Sequence, residues 1–248
     1  MQRLVVDLHQ ICARRVVLTP EQIHYLGRVL RLRVGDRFVA MDGKGQSWIV
    51  KLVEGEASPF EAELLEAIAL NTELPIAVTL VMALPKGSGF DEVVRQATEL
   101  GVTCIAPVIS DRTLLHPSPQ RLKRWQRIVQ EAAEQSERQI VPTLLEPVSF
   151  SKHLQDMRDR PSTHYLCVTR SSAPHILTCL LPNTCPPLSI TIAIGPEGGW
   201  TEAEVEQAIA TGYQPISLGS RILRAVTAPV VALSLVAAVC ETSGSHQA

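Results

Sequence analysis

The chain has 248 residues, of which 46% are hydrophobic and 19% are charged, and its formal net charge is −2. This composition excludes an intrinsically disordered protein, and the length allows one large domain or two smaller ones with hydrophobic cores. The small net charge excludes a strongly charged protein overall, so attraction to a charged partner has to come from a local patch.

Neither a membrane segment nor a metal site is indicated. The first ten residues, MQRLVVDLHQ, contain Asp7 and His9 and therefore lack the apolar core of a signal peptide. The longest nearly uncharged run, residues 228–240, is too short to cross a bilayer and predicts a buried helix. The six cysteines form no CxxC pair or Cys/His cluster with metal-ligand spacing. We expect reduced core thiols in a cytoplasmic protein that binds neither membrane nor metal.

Charge is unevenly distributed along the first third of the chain. Residues 1–51 contain nine Lys or Arg and four Asp or Glu, whereas residues 52–74 contain six Glu and no basic residue. A basic segment in a near-neutral chain is typical of a module that faces a polyanion, although an ordinary solvated surface has the same composition.

The amino-terminal pattern predicts a small β-barrel. Turn signals at 34–36 and 42–46 separate alternating segments and indicate a hairpin. A helix is expected over 18–32, because Pro20 follows Thr19, a favourable N-cap residue. The expected strands are 3–8, 34–43, 47–55 and 59–68, and a boundary is expected near 70–75.

From residue 75 onward, strands alternate with helices, which predicts an α/β domain with a mainly parallel sheet. In the helix expected over 88–100, Ser88 and Asp91 fit a capping box and Gly101 a C-cap. Ligands of such sheets bind at the carboxyl ends of strands, so the loops after Thr169, Ile194 and Leu218 are candidate sites. The expected strands are 75–84, 104–110, 164–169, 188–195 and 214–219, with a further helix over 119–138.

The stretch IGPEGGW (194–200) is a glycine-rich turn after a strand. Such turns often bind phosphate at a helix amino end, but Thr201 and Glu204 form a capping box that occupies those amide groups. The sequence also lacks a P-loop lysine and a GxGxxG motif. A cationic or neutral ligand therefore suits the turn and Glu197 better than a phosphate does. The alternative is a tight turn with a surface glutamate.

Three basic residues lie in other loops of this domain. Arg221 and Arg224 follow the last expected strand, where arginines commonly bind anionic substrate, although they could instead pair with structural carboxylates. Lys86 precedes Gly87 and could contact a phosphate or remain solvated. The seven histidines form no Ser/His/Asp or HExxH arrangement.

Several segments occur together in the order found in one protein family. They are IHYLGRVLRLRVGD, ALPKG, QATELGV, EAAEQSERQIVP, IGPEGGWTEAE and LGSRILRAVTAP. With them the sequence resembles the RsmE family of bacterial 16S ribosomal RNA uracil-N3 methyltransferases, in the SPOUT superfamily, over nearly the whole chain. The resemblance implies a PUA-like β-barrel at 1–70 and an α/β methyltransferase domain at 75–243 with a deep trefoil knot. It also implies a homodimer, with the apolar helix at 228–240 in the knot and part of the interface.

The resemblance further implies a cofactor, a substrate and site residues. S-adenosylmethionine is expected in the knot, a uridine of 16S rRNA in the small ribosomal subunit is the expected substrate, and Arg224, Arg221 and Glu197 are the candidate catalytic residues. The expected cofactor contacts lie in three loops: Cys167, Val168 and Thr169; Gly195, Pro196, Glu197, Gly198 and Gly199; and Leu218, Gly219, Ile222, Leu223 and Thr227. The expected RNA contacts are Arg28, Arg31, Arg33, Lys86 and Arg138.

Two departures from the family pattern keep alternatives open. Val226 stands where the family usually has Glu in ILRxETA, and SGF (88–90) stands where it tends to have a charged residue and a Met. One alternative is a non-catalytic rRNA-binding or ribosome-assembly factor on the same fold. Another is a SPOUT methyltransferase that acts on a different rRNA or tRNA base.

Overall fold

The computed structural model describes residues 1–55, 61–69, 72–114, 117–157, 162–181 and 189–244. The chain divides into two compact units. The amino-terminal unit comprises Met1–Glu73 together with Ala133–Val141, and the carboxy-terminal unit comprises Leu74–Ala132 and Pro142–Ala248.

The amino-terminal unit contains a six-stranded sheet that packs around a hydrophobic core. Strand β1 pairs in parallel with β4, and the other neighbours are antiparallel, in the order β1-β4-β5-β6-β3-β2. The core side chains include Leu4, Leu26, Phe38 and Leu52, all almost fully buried. The strands are β1 (Arg3–Val5), β2 (Ile11–Cys12), β3 (Arg15–Val16), β4 (Arg37–Met41), β5 (Ser47–Val53) and β6 (Glu61–Ile68).

The helix expected over 18–32 is shorter and irregular. Helix α1 (Pro20–His24) starts at Thr19, whose hydroxyl accepts a hydrogen bond from the Gln22 amide, and a single π-helical turn, Tyr25–Val29, follows. Arg31 then adopts a left-handed conformation, with φ of 58°, which an α-helix does not continue through.

Residues 133–141 complete this unit. Arg138 is buried, and its guanidinium donates to the Glu73 carboxylate at 2.6 Å. Gly43 has a φ of 68°, and a Cβ there would lie 2.9 Å from a methyl group of Val141. The turn at Gly43 therefore requires glycine for both conformation and space.

In the carboxy-terminal unit every strand pair is parallel, as predicted. The order is β10-β8-β7-β12-β11-β13, and β9 also pairs with β8. The strands are β7 (Ala77–Ala83), β8 (Cys104–Ile109), β9 (Thr143–Leu144), β10 (Val148–Ser149), β11 (Thr163–Cys167), β12 (Ser189–Ile194) and β13 (Gln214–Ile216). The helices are α2 (Gly89–Glu99), α3 (Pro119–Gln135), α4 (Phe150–Asp156), α5 (Ile176–Leu180), α6 (Glu202–Ala210) and α7 (Thr227–Gly244).

Of the two capping predictions for α2, the one at its carboxyl end is confirmed and the one at its amino end is wrong. Gly101 has a φ of 88° just beyond the last turn, which confirms the predicted C-terminal signal. The capping box at the amino end is wrong, because the Ser88 side chain makes no cap hydrogen bond. The Asp91 carboxylate instead accepts hydrogen bonds from Trp125 Nε1 at 2.8 Å and Arg124 Nε at 2.7 Å, and so ties α2 to α3.

The mixed α/β fold with a β-rich amino-terminal unit is confirmed, and the trefoil knot stays a prediction. The expectation of core cysteines is wrong for Cys12, which is exposed. No helix within the described part of the chain is long and apolar enough to span a bilayer.

Candidate functional site

The strand order determines where a site can form. Strands β12, β11 and β13 are neighbours and run in parallel, so their carboxyl ends lie at one edge of the sheet. The loops after them are the three that the sequence indicated. They enclose a cavity of about 660 Å³. Its lining from these loops is Cys167, Val168, Thr169 and Arg170; Ile194 to Trp200; and Leu218, Gly219 and Arg221 to Val226.

The glycine loop, residues 195–200, lines this cavity in part with the main-chain atoms of three glycines, which no side chain of their own covers. Gly199 has a φ of 69°, and its N–H donates to the Pro196 carbonyl at 2.8 Å, which closes a tight turn. A Cβ on Gly195 would lie 3.3 Å from the backbone nitrogen of Trp200, so a larger residue would be crowded there. Glycine is therefore needed both for the conformation and for the close approach of the chain.

The amino end of α6 is capped as the sequence predicted. The Thr201 hydroxyl accepts from the Glu204 amide at 3.3 Å, and the Glu204 carboxylate accepts from the Thr201 amide at 2.8 Å. Glu204 is buried. Because these side chains occupy the amide groups, the helix end is poorly suited to bind a phosphate, which agrees with the argument from sequence.

Glu197 has a partner that sequence reasoning did not find. Its Oε1 accepts a hydrogen bond from the backbone N–H of Lys86 at 3.0 Å, while the side chain remains exposed at the cavity. Glu197 thus joins the glycine loop to the loop after β7. The carboxylate places negative charge at the cavity and at the same time holds two loops together.

The arginine loop, residues 218–226, follows β13. Gly219 has a φ of 116°, and its N–H donates to the Ser217 hydroxyl at 3.1 Å. Arg221 and Arg224 line the cavity and are exposed, and neither guanidinium pairs with a carboxylate within the described part of the chain. The reading of this pair as a binder of structural carboxylates is therefore not supported, and both side chains are available to a ligand.

Cys167 lies at the end of β11 and lines the same cavity. Burial raises the pKa of its thiol to about 12. A thiol with this pKa remains protonated near neutral pH, so it contributes a small, neutral surface rather than a nucleophilic thiolate.

Sequence reasoning missed several lining residues. Arg112, from the loop after β8, and Arg170, with a φ of 55°, add two more guanidinium groups to the wall. Trp200 is buried and stacks on Phe150 with ring centroids 4.2 Å apart, and its Nε1 has no hydrogen-bond partner among the described residues. No motif in the sequence points to Arg112 or Arg170.

Six predicted site residues lie outside the cavity lining. Thr227 is the first residue of α7, and its N–H donates to the Arg224 carbonyl at 2.9 Å. Arg28, Arg31 and Arg33 are exposed on the amino-terminal unit, and Lys86 is exposed after β7.

Arg138, the remaining predicted RNA contact, needs a correction. Its side chain is 2% exposed, and its charge is neutralised by Glu73. A guanidinium that is buried and paired is withdrawn from solvent, so Arg138 stabilises the amino-terminal unit and is not retained as an RNA contact. Within the described residues, no group of three His, Cys, Asp or Glu could hold a metal ion.

Comparison with known proteins assigns the fold and site to a class. Residues 72–237 match the family described as RNA methyltransferase domain, and residues 18–65 match the RNA methyltransferase PUA domain. The solved ribosomal RNA small subunit methyltransferase E of Neisseria gonorrhoeae, bound to S-adenosyl methionine, is similar with a TM-score of 0.84 and 35% identity over 94% of this chain and 95% of that one. A fold and site of this kind define an RNA methyltransferase.

Sequence relatives narrow the class to one family. The chain is 50% identical to the ribosomal RNA small subunit methyltransferase E of Synechocystis sp., over 97% of this chain and 78% of that protein. It is 32% identical to the corresponding enzyme of Bacillus subtilis, over 95% and 96%. The chain belongs to the ribosomal RNA small subunit methyltransferase E family, RsmE, which confirms the resemblance seen in the sequence.

Proposed function

We propose that this protein transfers a methyl group from S-adenosylmethionine to N3 of a uridine in 16S rRNA of the small ribosomal subunit. The observation that carries the proposal is the cavity itself. It combines close backbone from the glycine loop with one carboxylate, and it also presents two unpaired arginines from the adjacent loop. Family membership indicates the class of reaction, and the chemistry of the lining residues indicates the role of each residue.

The residues present fit S-adenosylmethionine. At Gly199 and Gly219 a Cβ would meet nothing within 4 Å, so a ligand can approach the main chain closely there. Ile194, Val205 and Leu223 offer apolar wall to a purine or a thioether chain. The buried Trp200 N–H lacks an acceptor among the residues that the structure describes. Glu197 supplies the negative charge that complements an ammonium or sulfonium. When bound, the cofactor supplies a methyl group activated by its positively charged sulfur.

The arginine loop is assigned to the substrate. N3 of uracil is a nucleophile only after it has lost its proton, and the resulting negative charge spreads onto the two adjacent carbonyl oxygens. A guanidinium placed at those oxygens favours the deprotonated form and stabilises the charge during transfer. Arg224 takes this role, and Arg221 lies three residues away on the same loop. The cavity walls hold the reacting groups in line.

We assign different functions to the two units. We assign RNA binding to the amino-terminal unit, which contains the PUA-like module predicted at 1–70. The contacts are Arg28, Arg31 and Arg33, which are exposed and have no ion pair within the described residues. Lys86 adds a positive charge in the carboxy-terminal unit. Such contacts to phosphates bind RNA without reading its sequence. We further propose a homodimer in the cytoplasm, with the apolar helix α7 contributing to the interface.

Primer extension on 16S rRNA tests this function. N3 methylation removes a Watson–Crick donor, so reverse transcriptase should stop at the modified uridine. The stop should disappear from a deletion strain and return with the wild-type gene but not with the Arg224→Ala variant. An unchanged stop in the deletion strain would refute the assignment to 16S rRNA. If purified protein binds 16S rRNA but transfers no methyl group, the protein is an assembly factor on this fold.

A further inference from the structure

The short turn after β8, residues 110–113, contacts the glycine loop through Arg112 and the cap of α6 through Asp111. The N–H of Thr113 donates to the Ser110 carbonyl at 2.9 Å, and the N–H of Ser110 donates to the Thr113 hydroxyl at 3.1 Å. Ser110 and Thr113 are both buried. The turn is therefore closed by hydrogen bonds on both sides, and Asp111 and Arg112 lie at its tip.

Asp111 connects this turn to the cap of α6. Its N–H donates to Glu204 Oε1 at 2.9 Å, and its Oδ2 accepts from the Thr201 hydroxyl at 3.3 Å. Glu204 thereby accepts from both the Asp111 and the Thr201 backbone. Because Glu204 is 5% exposed, these charge-assisted hydrogen bonds are shielded from water.

Arg112 makes the second connection, directly to the glycine loop. Its Nη1 donates to the Gly198 carbonyl at 2.6 Å and to the Trp200 carbonyl at 3.3 Å. Two carbonyl oxygens that point at the same place repel each other, and a shared cationic donor removes this repulsion. The side chain also passes close over Gly198, where a Cβ would lie 3.2 Å from Arg112 Cδ. Gly198 thus makes room for the arginine.

We infer that Arg112 is a positioning residue of the cofactor site, which fixes residues 198–200 in the conformation that a ligand meets. The inference rests on the proposed function in so far as the ligand is S-adenosylmethionine. Arg112 acts through the two carbonyl oxygens, and Asp111 contacts the adjacent helix cap. The turn at 110–113, the glycine loop and the start of α6 thereby form one hydrogen-bonded assembly, of which no motif in the sequence gives a sign.

Hydrogen–deuterium exchange on the ligand-free protein tests the positioning role without any reaction. The reporters are the amides of Gly199 and Thr201, which donate to the Pro196 carbonyl and to Glu204. In Arg112→Ala these amides should exchange at least about tenfold faster, the factor expected when a charge-assisted hydrogen bond is lost. Arg112→Lys should be intermediate, because an ammonium keeps the charge but not the planar geometry. Arg127→Ala, which removes an exposed arginine of α3, should exchange as the wild type does.

Calorimetry with S-adenosylmethionine supplies the second measurement. Arg112→Ala should bind the cofactor about tenfold more weakly, and Gly198→Ala, which displaces the same side chain, should weaken it in the same direction. Unchanged exchange at Gly199 and Thr201 in Arg112→Ala would refute the positioning role, even if affinity fell, and would make Arg112 a direct ligand contact. Faster exchange with unchanged affinity would refute the link to the cofactor site. If the wild type does not bind the cofactor, the proposed function fails, while exchange still tests the positioning role.

Discussion

The glycine loop and the arginine loop supply much of the cavity wall, and the chain holds them in different ways. Residues 195–200 are tied by Glu197 to the Lys86 amide, by Arg112 to two carbonyls, and by an internal turn at Gly199. In contrast, residues 220–223 make no hydrogen bond within the described part of the chain. Their side chains Arg221 and Ile222 are exposed.

Because of this difference in hydrogen bonding, the glycine loop forms a fixed part of the cavity wall and the arginine loop forms an adaptable part. A preorganised backbone binds a small ligand without a further cost of ordering, whereas arginines without a carboxylate partner are available to a charged substrate. The fixed wall suits a cofactor of constant shape. The adaptable wall suits an RNA whose target base must be accommodated. Changes in the glycine loop should therefore affect cofactor affinity, and changes in the arginine loop should affect methyl transfer.

The largest effect is expected from Arg224→Ala. Loss of a positive charge beside the developing negative charge should lower the transfer rate about 10²–10³-fold, as for other stabilising donors. Cofactor affinity should remain close to that of the wild type. Single-turnover methylation of 16S rRNA measures the rate, and calorimetry measures the affinity. Arg221→Ala is the matched comparison, and near-normal turnover in both variants would remove the arginine loop from the chemistry.

A second substitution, at Gly89, tests whether Val226 at the end of the arginine loop packs closely against α2. A Cβ on Gly89, the first residue of α2, would lie 2.8 Å from Val226 Cγ1. Gly89→Ala should therefore lower the free energy of unfolding by about 1–3 kcal/mol through overpacking, although alanine favours a helix. Denaturant unfolding measures this. In a Val226→Ala background the same substitution should be neutral or stabilising, and equal destabilisation in both backgrounds would contradict the contact.

The sequence predicted much of this arrangement because its signals are local. The Thr201–Glu204 cap, the left-handed Gly101 and the individual strands each depend on residues close together in the chain. The three site loops followed from the rule that ligands bind at strand carboxyl ends. Val226 departs from the family pattern, and the structure shows it in an apolar contact with Gly89.

Contacts between distant residues could not be predicted in this way. Lys86 and Glu197 are 111 residues apart, and Arg112 and Gly198 are 86 apart. Neither pair has a periodicity or spacing to reveal it. Arg138 illustrates the opposite error, since the sequence predicts it as an RNA contact, whereas the structure shows it buried and paired with Glu73, which lies 65 residues away in the chain. Asp91 likewise fitted a local cap, but Trp125 and Arg124 compete for its carboxylate.

Cys167, at the end of β11 and the start of the third site loop, should make the stability of the protein depend on pH. Burial raises its pKa from an ordinary value of 9.0 to about 12, so the unfolded chain releases this proton at lower pH than the folded protein does. The contribution of the protonated thiol to the free energy of unfolding is fully present below pH 9. It is lost as the pH rises from 9 to 12, and the loss is at most about 1.4 kcal/mol per pH unit. Urea unfolding at several pH values should show a steeper decline for the wild type than for Cys167→Ser. Parallel curves would show that the thiol is not shielded.

The smallest effect, and the sharpest test of the fixed wall, concerns Glu197. If its main role is to accept the Lys86 N–H, Glu197→Gln keeps an acceptor and should leave cofactor affinity within about twofold of the wild type. Glu197→Ala removes the acceptor and should weaken binding by about 1 kcal/mol, or roughly fivefold. If the charge itself attracts the ammonium or sulfonium, glutamine should weaken binding as much as alanine does. Calorimetry at low and high salt separates the two, because only a charge effect on an exposed side chain is screened. Equal loss in both variants, reduced by salt, would make Glu197 a cofactor contact rather than the tie between two loops.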